Sequence, residues 1–408
     1  MKAKATAIVL FALLCSGVFA GCGDSTAAST EETTSAVEQL ETTESTSEET
    51  EAAASGEIVF NEENVKLCGR TELIDDTLWC GFSCTGADFI YSGKGLDITV
   101  CGDGAAGTDN QARIAIYVNG ERVVDDMIDS AEKSYRVAES DDITESEIKI
   151  VKLSETAQST VGIKPVILGE GESIAPAPEK ELKIEFIGDS ITCGYGVDDE
   201  DRDHHFATST EDATKAYAYK TAELLDADYS LVSISGWGII SGYTNDPQKK
   251  ADSQQIPLYY GKLGYSYQKF AGTTAPQDVD WDFSRFVPDV IVINLGTNDN
   301  SYCKGDKEKR TEYRDAYIEF LKQIREKNPD AEIFCALGIM GAELFNDMGE
   351  AALMYTEETG DEKVHFLQLP TQDGSLGYAA DWHPTEATHE VAAEYLAEEI
   401  KKTLSGEE

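Results

Sequence analysis

The chain has 408 residues, more than the roughly 250–300 that one hydrophobic core organises, so two domains are expected. Its 77 Asp plus Glu outweigh 33 Lys plus Arg, leaving a net charge of -44. Such a field repels nucleic acid and anionic lipid heads, which excludes nucleic-acid binding and favours neutral or cationic partners.

At the amino end, Lys2 and Lys4 precede an apolar run at 8–20, too short to span a bilayer but long enough for an export-signal core. The run closes on Phe19-Ala20-Gly21-Cys22, which resembles a bacterial lipobox with Phe19 in place of the usual Leu. The resemblance implies a signal peptide over 1–21, lipidation of Cys22, and an extracytoplasmic, cell-surface lipoprotein that touches membrane through its anchor alone. Secretion without an anchor is the alternative. Residues 22–57 are rich in Ser, Thr, Ala and Glu; from 24 to 57 there are 10 acidic residues and no Lys or Arg. A segment so poor in large apolar side chains cannot bury enough surface to order itself, and reads as a disordered linker.

Residues 58–172 change texture. "LDITVCG", "ARIAIYVNGERVV" and "SEIKIVKLS" alternate apolar and polar with β-branched residues, and Asn119-Gly120 is a strong two-residue hairpin signal. An all-β sandwich of jelly-roll type is expected, followed by a Pro-rich linker over 173–181. Over 182–408 compact apolar runs at 182–188, 229–236, 289–296, 332–338 and 364–370 alternate with helical patterns. The helix within 311–327 places Tyr313, Tyr317, Phe320, Leu321 and Ile324 on one face; the last, near 385–404, repeats Val391, Tyr395, Leu396, Ile400 and Leu404. This rhythm predicts a three-layer α/β domain with a five-stranded parallel sheet.

In such sheets ligands bind at the carboxyl ends of the strands. Those ends read Gly188-Asp189-Ser190, then Ser235-Gly236-Trp237-Gly238, then Gly296-Thr297-Asn298-Asp299; Asp381-Trp382-His383-Pro384 precedes the last helix. A hydroxyl, glycine amides, a carboxamide and an imidazole thus meet on one rim, the kit that acyl transfer needs. "GDSITCGYG" fits neither GxGxxG nor GxxxxGK[ST], so a phosphate cradle is set aside.

The blocks "GDS", Gly236, "GTND" and "DWHP" resemble the SGNH (GDSL) hydrolases, and with a β-sandwich ahead of them the chain resembles carbohydrate esterase family two. The resemblance implies an acetyl xylan esterase-like serine esterase acting on acetylated polysaccharide or oligosaccharide, with no cofactor or metal and as a monomer. Ser190 would be the nucleophile and His383 the base, with an oxyanion hole from the Ser190 and Gly236 amides and the Asn298 side chain. The family's usual Asp-x-x-His is shortened here, so Nδ1 of His383 would bond either the Asp381 carboxylate or its main-chain carbonyl, with Asp373 as an outside candidate. A lipase, thioesterase or lysophospholipase on the same fold, and an inert surface carbohydrate-binding protein, are the rivals.

Trp237 and Trp382 flank the glycine and the base, and are candidates for stacking on a sugar. His204 and His205 read as a solvated loop, His365 and His389 as structural, and Asp189 and Asp299 as loop-shaping acceptors. After Cys15 and Cys22, seven cysteines remain, an odd number that cannot pair completely. Cys80 and Cys84 lack a second close pair or a nearby His, which disfavours a zinc site, and Cys335 reads as a core thiol.

Overall fold

The structure, a computed structural model, describes residues 56–406. The signal peptide, Cys22 and the acidic linker up to residue 55 lie outside the described residues. Two long antiparallel strands, Gly86–Gly102 and Glu132–Lys152, form the spine of an N-terminal β-sandwich. They bend together where the register shifts between Gly93 and Gly95. Beyond the bend the partners change. The first half of Gly86–Gly102 pairs on its other edge with Lys66–Cys68 and Ser173–Pro176, the second half with Val161–Ile163. One strand pair therefore feeds both layers, and Phe89, Tyr91, Leu96, Ile98, Ile114, Ile116, Ile148 and Ile150 fill the space between. A Cβ at Gly93 would run into Cζ of the buried Tyr91 ring, so the bend needs glycine there. Asn119 and Gly120 sit at φ 51° and 80°, the two positive values a tight hairpin turn requires.

The domain boundaries differ from those read off composition. Gly56–Ile58 is already a strand, paired with Val166–Leu168, so ordered chain begins inside the expected linker. Ser173–Pro176 is an outer strand of the sandwich rather than a linker. The residue before a proline is pushed into extended backbone, and proline is tolerated at a sheet edge, so "APAP" stiffens a strand end as readily as a spacer.

The second domain is a five-stranded parallel sheet, Leu182–Gly188, Ala227–Ser233, Val290–Asn294, Glu332–Ile339 and Val364–Thr371, in spatial order second, first, third, fourth, fifth. Alternate residues face opposite layers. Ile184, Phe186, Val290, Val292 and Phe334 meet the helices Tyr217–Leu224 and Glu386–Ser405. Ile187, Ile291, Ile293, Ile333 and Cys335 meet Lys307–Lys327 and Phe345–Thr359. The expected face of Lys307–Lys327 is buried throughout, from Tyr313 to Ile324. The last helix corrects its reading: Val391 and Leu404 are exposed, and the buried face is Thr388, His389, Ala392, Ala393, Leu396, Ala397 and Ile400. Alanines let this helix approach its neighbours closely, a signal that counting large apolar residues misses. All seven described cysteines are buried free thiols.

Charged side chains of the sandwich grip the parallel-sheet domain. Arg113 bonds Asp198 at 2.7 Å, and Arg122 bonds Asp212 at 2.7 Å and Thr214 at 2.6 Å. Arg70, fully buried, donates to the carbonyls of Tyr260 and Lys262, both at 2.6 Å, and reaches Glu185 at 3.3 Å in the heart of the sheet. Removing one partner of a buried charge pair strands the other without solvent. Arg70→Ala is therefore expected to lower the unfolding free energy by about 3–5 kcal/mol in denaturant titration; a loss below about 1 kcal/mol contradicts this account of the interface.

Candidate active site

The first parallel strand ends at Gly188, and Asp189 caps a single helical turn, Ser190–Cys193, by accepting from the Ile191 amide at 3.0 Å. Gly194 closes the turn at φ 74°. Ser190 is thereby held at a helix start at the carboxyl edge of the sheet. Its Oγ lies 2.9 Å from Nε2 of His383, and Nδ1 of that ring lies 3.1 Å from the carbonyl of Ala380. A carbonyl only accepts, so Nδ1 carries the proton and Nε2 presents a lone pair to the serine hydroxyl. Tyr195 stacks on the imidazole at 3.9 Å between centroids and 19° between planes. Burial pushes the His383 pKa down to about 4, against the Ala380 carbonyl and the Asp381 charge, which favour the protonated ring. The ring is neutral at ordinary pH.

The Asp381 carboxylate does not touch His383. It accepts from Tyr195 Oη at 2.6 Å, from His205 Nδ1 at 2.8 Å and from the Phe206 amide at 3.2 Å. Burial raises its pKa, but these donors outweigh that and hold it below the usual carboxylate value. Of the two expected partners for Nδ1 the Asp381 carboxylate is not used; the hydrogen bond goes to the carbonyl one residue earlier, and the Asp381 main chain adds to it in favouring the protonated ring. The reason lies in the backbone, where Asp381 and Trp382 adopt φ 50° and 64° and curl the chain so that the Ala380 carbonyl points under the ring. Asp373 is spent on the Ser375 amide, 2.8 Å away.

Neither the Ser190 amide nor the Gly236 amide has a protein acceptor. Gly236 has φ 80°, and nothing lies within 4 Å of where a Cβ would project, so its backbone faces open space. Asn298 arrives on the helix Thr297–Cys303, but both Nδ2 hydrogens are already taken, by Asp189 at 2.9 Å and by the Trp237 carbonyl at 2.8 Å. Asp299 accepts from the amides of Ile239, Ile240 and Ser241 at 2.7 to 3.1 Å and shapes the loop that carries Gly236. Burial raises the Asp189 pKa to about 7 and that of Asp299 to about 6, against these donors.

Trp237 is corrected: it is 3% exposed and packed against Tyr259 and Tyr265, with no ring face open to a sugar. Trp382 is 47% exposed, with the Arg202 guanidinium 4.1 Å over its ring. His204 bonds Asp199 on the surface, and His365 pairs with Glu332 at 2.8 Å. His389 is buried and accepts from the Tyr217 amide at 3.1 Å. Sequence reasoning missed Tyr195 and Ala380. "GYG" directly after the serine turn offered a weak pointer to the tyrosine, whereas nothing in the identity of an alanine marks its carbonyl.

Residues 186–391 match the profile of the GDSL-like lipase/acylhydrolase family, and residues 67–178 match that of the carbohydrate esterase 2 N-terminal domain. The chain belongs to the GDSL-like lipase/acylhydrolase family. A cellulase/esterase, CelE, of Acetivibrio thermocellus is 39% identical over 240 residues, 58% of this chain and 27% of that protein. The chain thus spans about a quarter of that relative's length. An acetylxylan esterase/glucomannan deacetylase of Cellvibrio japonicus is 26% identical over 355 residues, covering 85% of this chain and 91% of that one. Among solved structures, a family two carbohydrate esterase from Clostridium thermocellum in complex with cellohexaose superposes with a TM-score of 0.72 at 31% identity, covering 84% of this chain and 99% of that one. The two-domain order of sandwich and parallel sheet is common to both.

A depressed imidazole pKa is directly measurable. In an NMR titration assigned against the His383→Asn variant, the ring is expected to stay neutral to roughly pH 5 and to titrate near 4. A midpoint at or above 6.5 contradicts the burial described above.

Proposed function

We propose that the protein is a carbohydrate esterase that removes O-acetyl groups from xylan or a related plant polysaccharide through an acyl-serine intermediate. The observation that carries the reading is the 2.9 Å bond between Ser190 Oγ and His383 Nε2, together with Ser190 and Gly236 amides that no protein group claims. Ser190 Oγ attacks the acetyl carbonyl carbon while its proton passes to Nε2 of His383. The carbonyl oxygen, now an oxyanion, is met by the Ser190 and Gly236 amides; each preorganised donor of this kind is worth about 3 kcal/mol of barrier. Asn298 joins them by sharing a hydrogen now given to Trp237, while Asp189 keeps its amide in place. Collapse of the tetrahedral adduct breaks the bond to the sugar oxygen, which takes the proton from Nε2. Water, deprotonated by the same ring, then releases acetate and restores Ser190.

Protonated His383 is steadied at Nδ1 by a peptide carbonyl in place of a carboxylate, so the Asp381 side chain acts at one remove, through Tyr195 and the turn. Trp382 offers a half-exposed ring beside the base on which a sugar could stack. The basic start, apolar run and Cys22 support export and lipid attachment, which would hold a monomeric enzyme at the bacterial surface, where polymeric substrate is found.

Hydrolysis of nitrophenyl acetate against the octanoate, with acetate release from acetylated xylan and glucomannan, tests the substrate class. Clear preference for the octanoyl ester points instead to a lipase. Ser190→Ala and His383→Ala are each expected to lower kcat by about 10⁴-fold or more. Asp381→Asn is expected to stay within about tenfold of the parent, because it keeps an acceptor for Tyr195 and leaves the Ala380 carbonyl untouched. A loss as large as that of His383→Ala would return the carboxylate to the catalytic centre.

A further inference from the structure

The loop that carries Gly236 is held from two sides. Asp299 holds the stretch after it, and a carboxylate from the other domain holds the residue before it. Glu155 belongs to the sandwich, in the loop between the strands Glu132–Lys152 and Val161–Ile163. It is 1% exposed, and its Oε2 accepts from the Ser235 amide at 2.7 Å. Ser235 immediately precedes Gly236. The same oxygen lies 3.8 Å from Sγ of Cys193, the last residue of the helical turn that begins at Ser190. A single oxygen therefore touches both the turn that presents the nucleophile and the loop that presents the second free amide.

Its own position is fixed in turn. The Glu155 amide donates to Glu211 at 2.8 Å, and the Lys152 ammonium donates to the carbonyls of Ser154 and Glu155 at 2.6 and 2.7 Å. Lys152, Glu155, Glu211 and Cys193 are all fully buried. A buried lysine and two buried carboxyls are costly to desolvate, and such a cluster, sitting directly beneath a reactive centre, lacks the look of packing alone. Burial raises the pKa of both glutamates and lowers that of Lys152 to about 8.

We infer that Glu155 is a positioning residue of the esterase site: the β-sandwich, through this one carboxyl group, sets the spacing between the Ser190 and Gly236 amides that receive the oxyanion. The inference rests on the acyl-transfer reading above and adds to it that the N-terminal domain is part of the catalytic geometry. Donors of this kind act only when aimed at where charge develops, and small displacements cost one to two orders of magnitude. The contact made is an acceptor for a backbone N–H, so a carbonyl at the same distance should replace it.

The test compares Glu155→Asp, which withdraws the oxygen by one methylene, with Glu155→Gln, which keeps an acceptor in place. Thermal melting and titration of the reactive serine with a fluorophosphonate report the folded, competent fraction. Per competent site, Glu155→Asp is expected to lower kcat for nitrophenyl acetate by about 10–100-fold with KM changed less than about threefold, and to weaken binding of phenylboronic acid, a tetrahedral mimic, by a similar factor. Glu155→Gln is expected to stay within about threefold of the parent on every measure. A folded Glu155→Asp enzyme with parental kcat and boronate affinity overturns the inference. So does a Glu155→Gln enzyme as impaired as Glu155→Asp. Ser190→Ala measured alongside separates the two levels. If it still hydrolyses ester, the acyl-serine reading fails; if it is silent while Glu155→Asp is fully active, only the role of Glu155 fails.

Discussion

One hydrogen bond, 2.9 Å between residues 193 positions apart, sets the terms for the rest of the molecule. A serine hydroxyl is a poor nucleophile unless a neutral base meets it, and an imidazole is a base only while something keeps it unprotonated and correctly turned. Burial does the first, and the Ala380 carbonyl with the stacked Tyr195 ring does the second. The parallel sheet brings the two ends together. Ser190 leaves the first strand, while His383 precedes the helix that packs beside Tyr217–Leu224 on the same layer.

The sandwich is more than a neighbour of this apparatus. Arg113 and Arg122 grip the 198–214 stretch, Arg70 enters the sheet to meet Glu185, and Glu155 reaches beneath the site. Each group is charged and at least half-buried, a costly choice for an interface meant only to hold two domains together. Charged contacts demand defined geometry in a way that apolar contacts do not. That demand suits a seam whose task is to set distances.

Much of this was legible in the residues, and the gaps have physical causes. Strand-end glycines, the serine, the histidine and the two core faces of the parallel sheet follow from period and spacing, because local chemistry announces them. The buried alanine face of the last helix does not, since close approach is a property of pairs of helices. The orientation of Trp237 was equally hidden: an aromatic beside a site reads the same whether it faces the solvent or Tyr259 and Tyr265. Asp381 misled for a related reason. Its position two before the base suggests a partner, but the left-handed backbone at 381 and 382 turns the carboxylate toward Tyr195 and hands the task to a peptide group. Glu155 lay in another domain's loop, where nothing local tied it to Ser235.

Because the group beneath His383 is a main-chain oxygen, evolution has no side chain there to exchange, and the identity of residue 380 matters little to the chemistry. What selection can act on is the curvature of the chain: any replacement at 381 or 382 that relaxes those positive angles would swing the oxygen aside and leave the ring free to rotate. Tolerance in this tripeptide is thus governed by conformational preference more than by charge. An asparagine or glycine should be easier to accommodate at 381 than a bulkier acid with the very same charge.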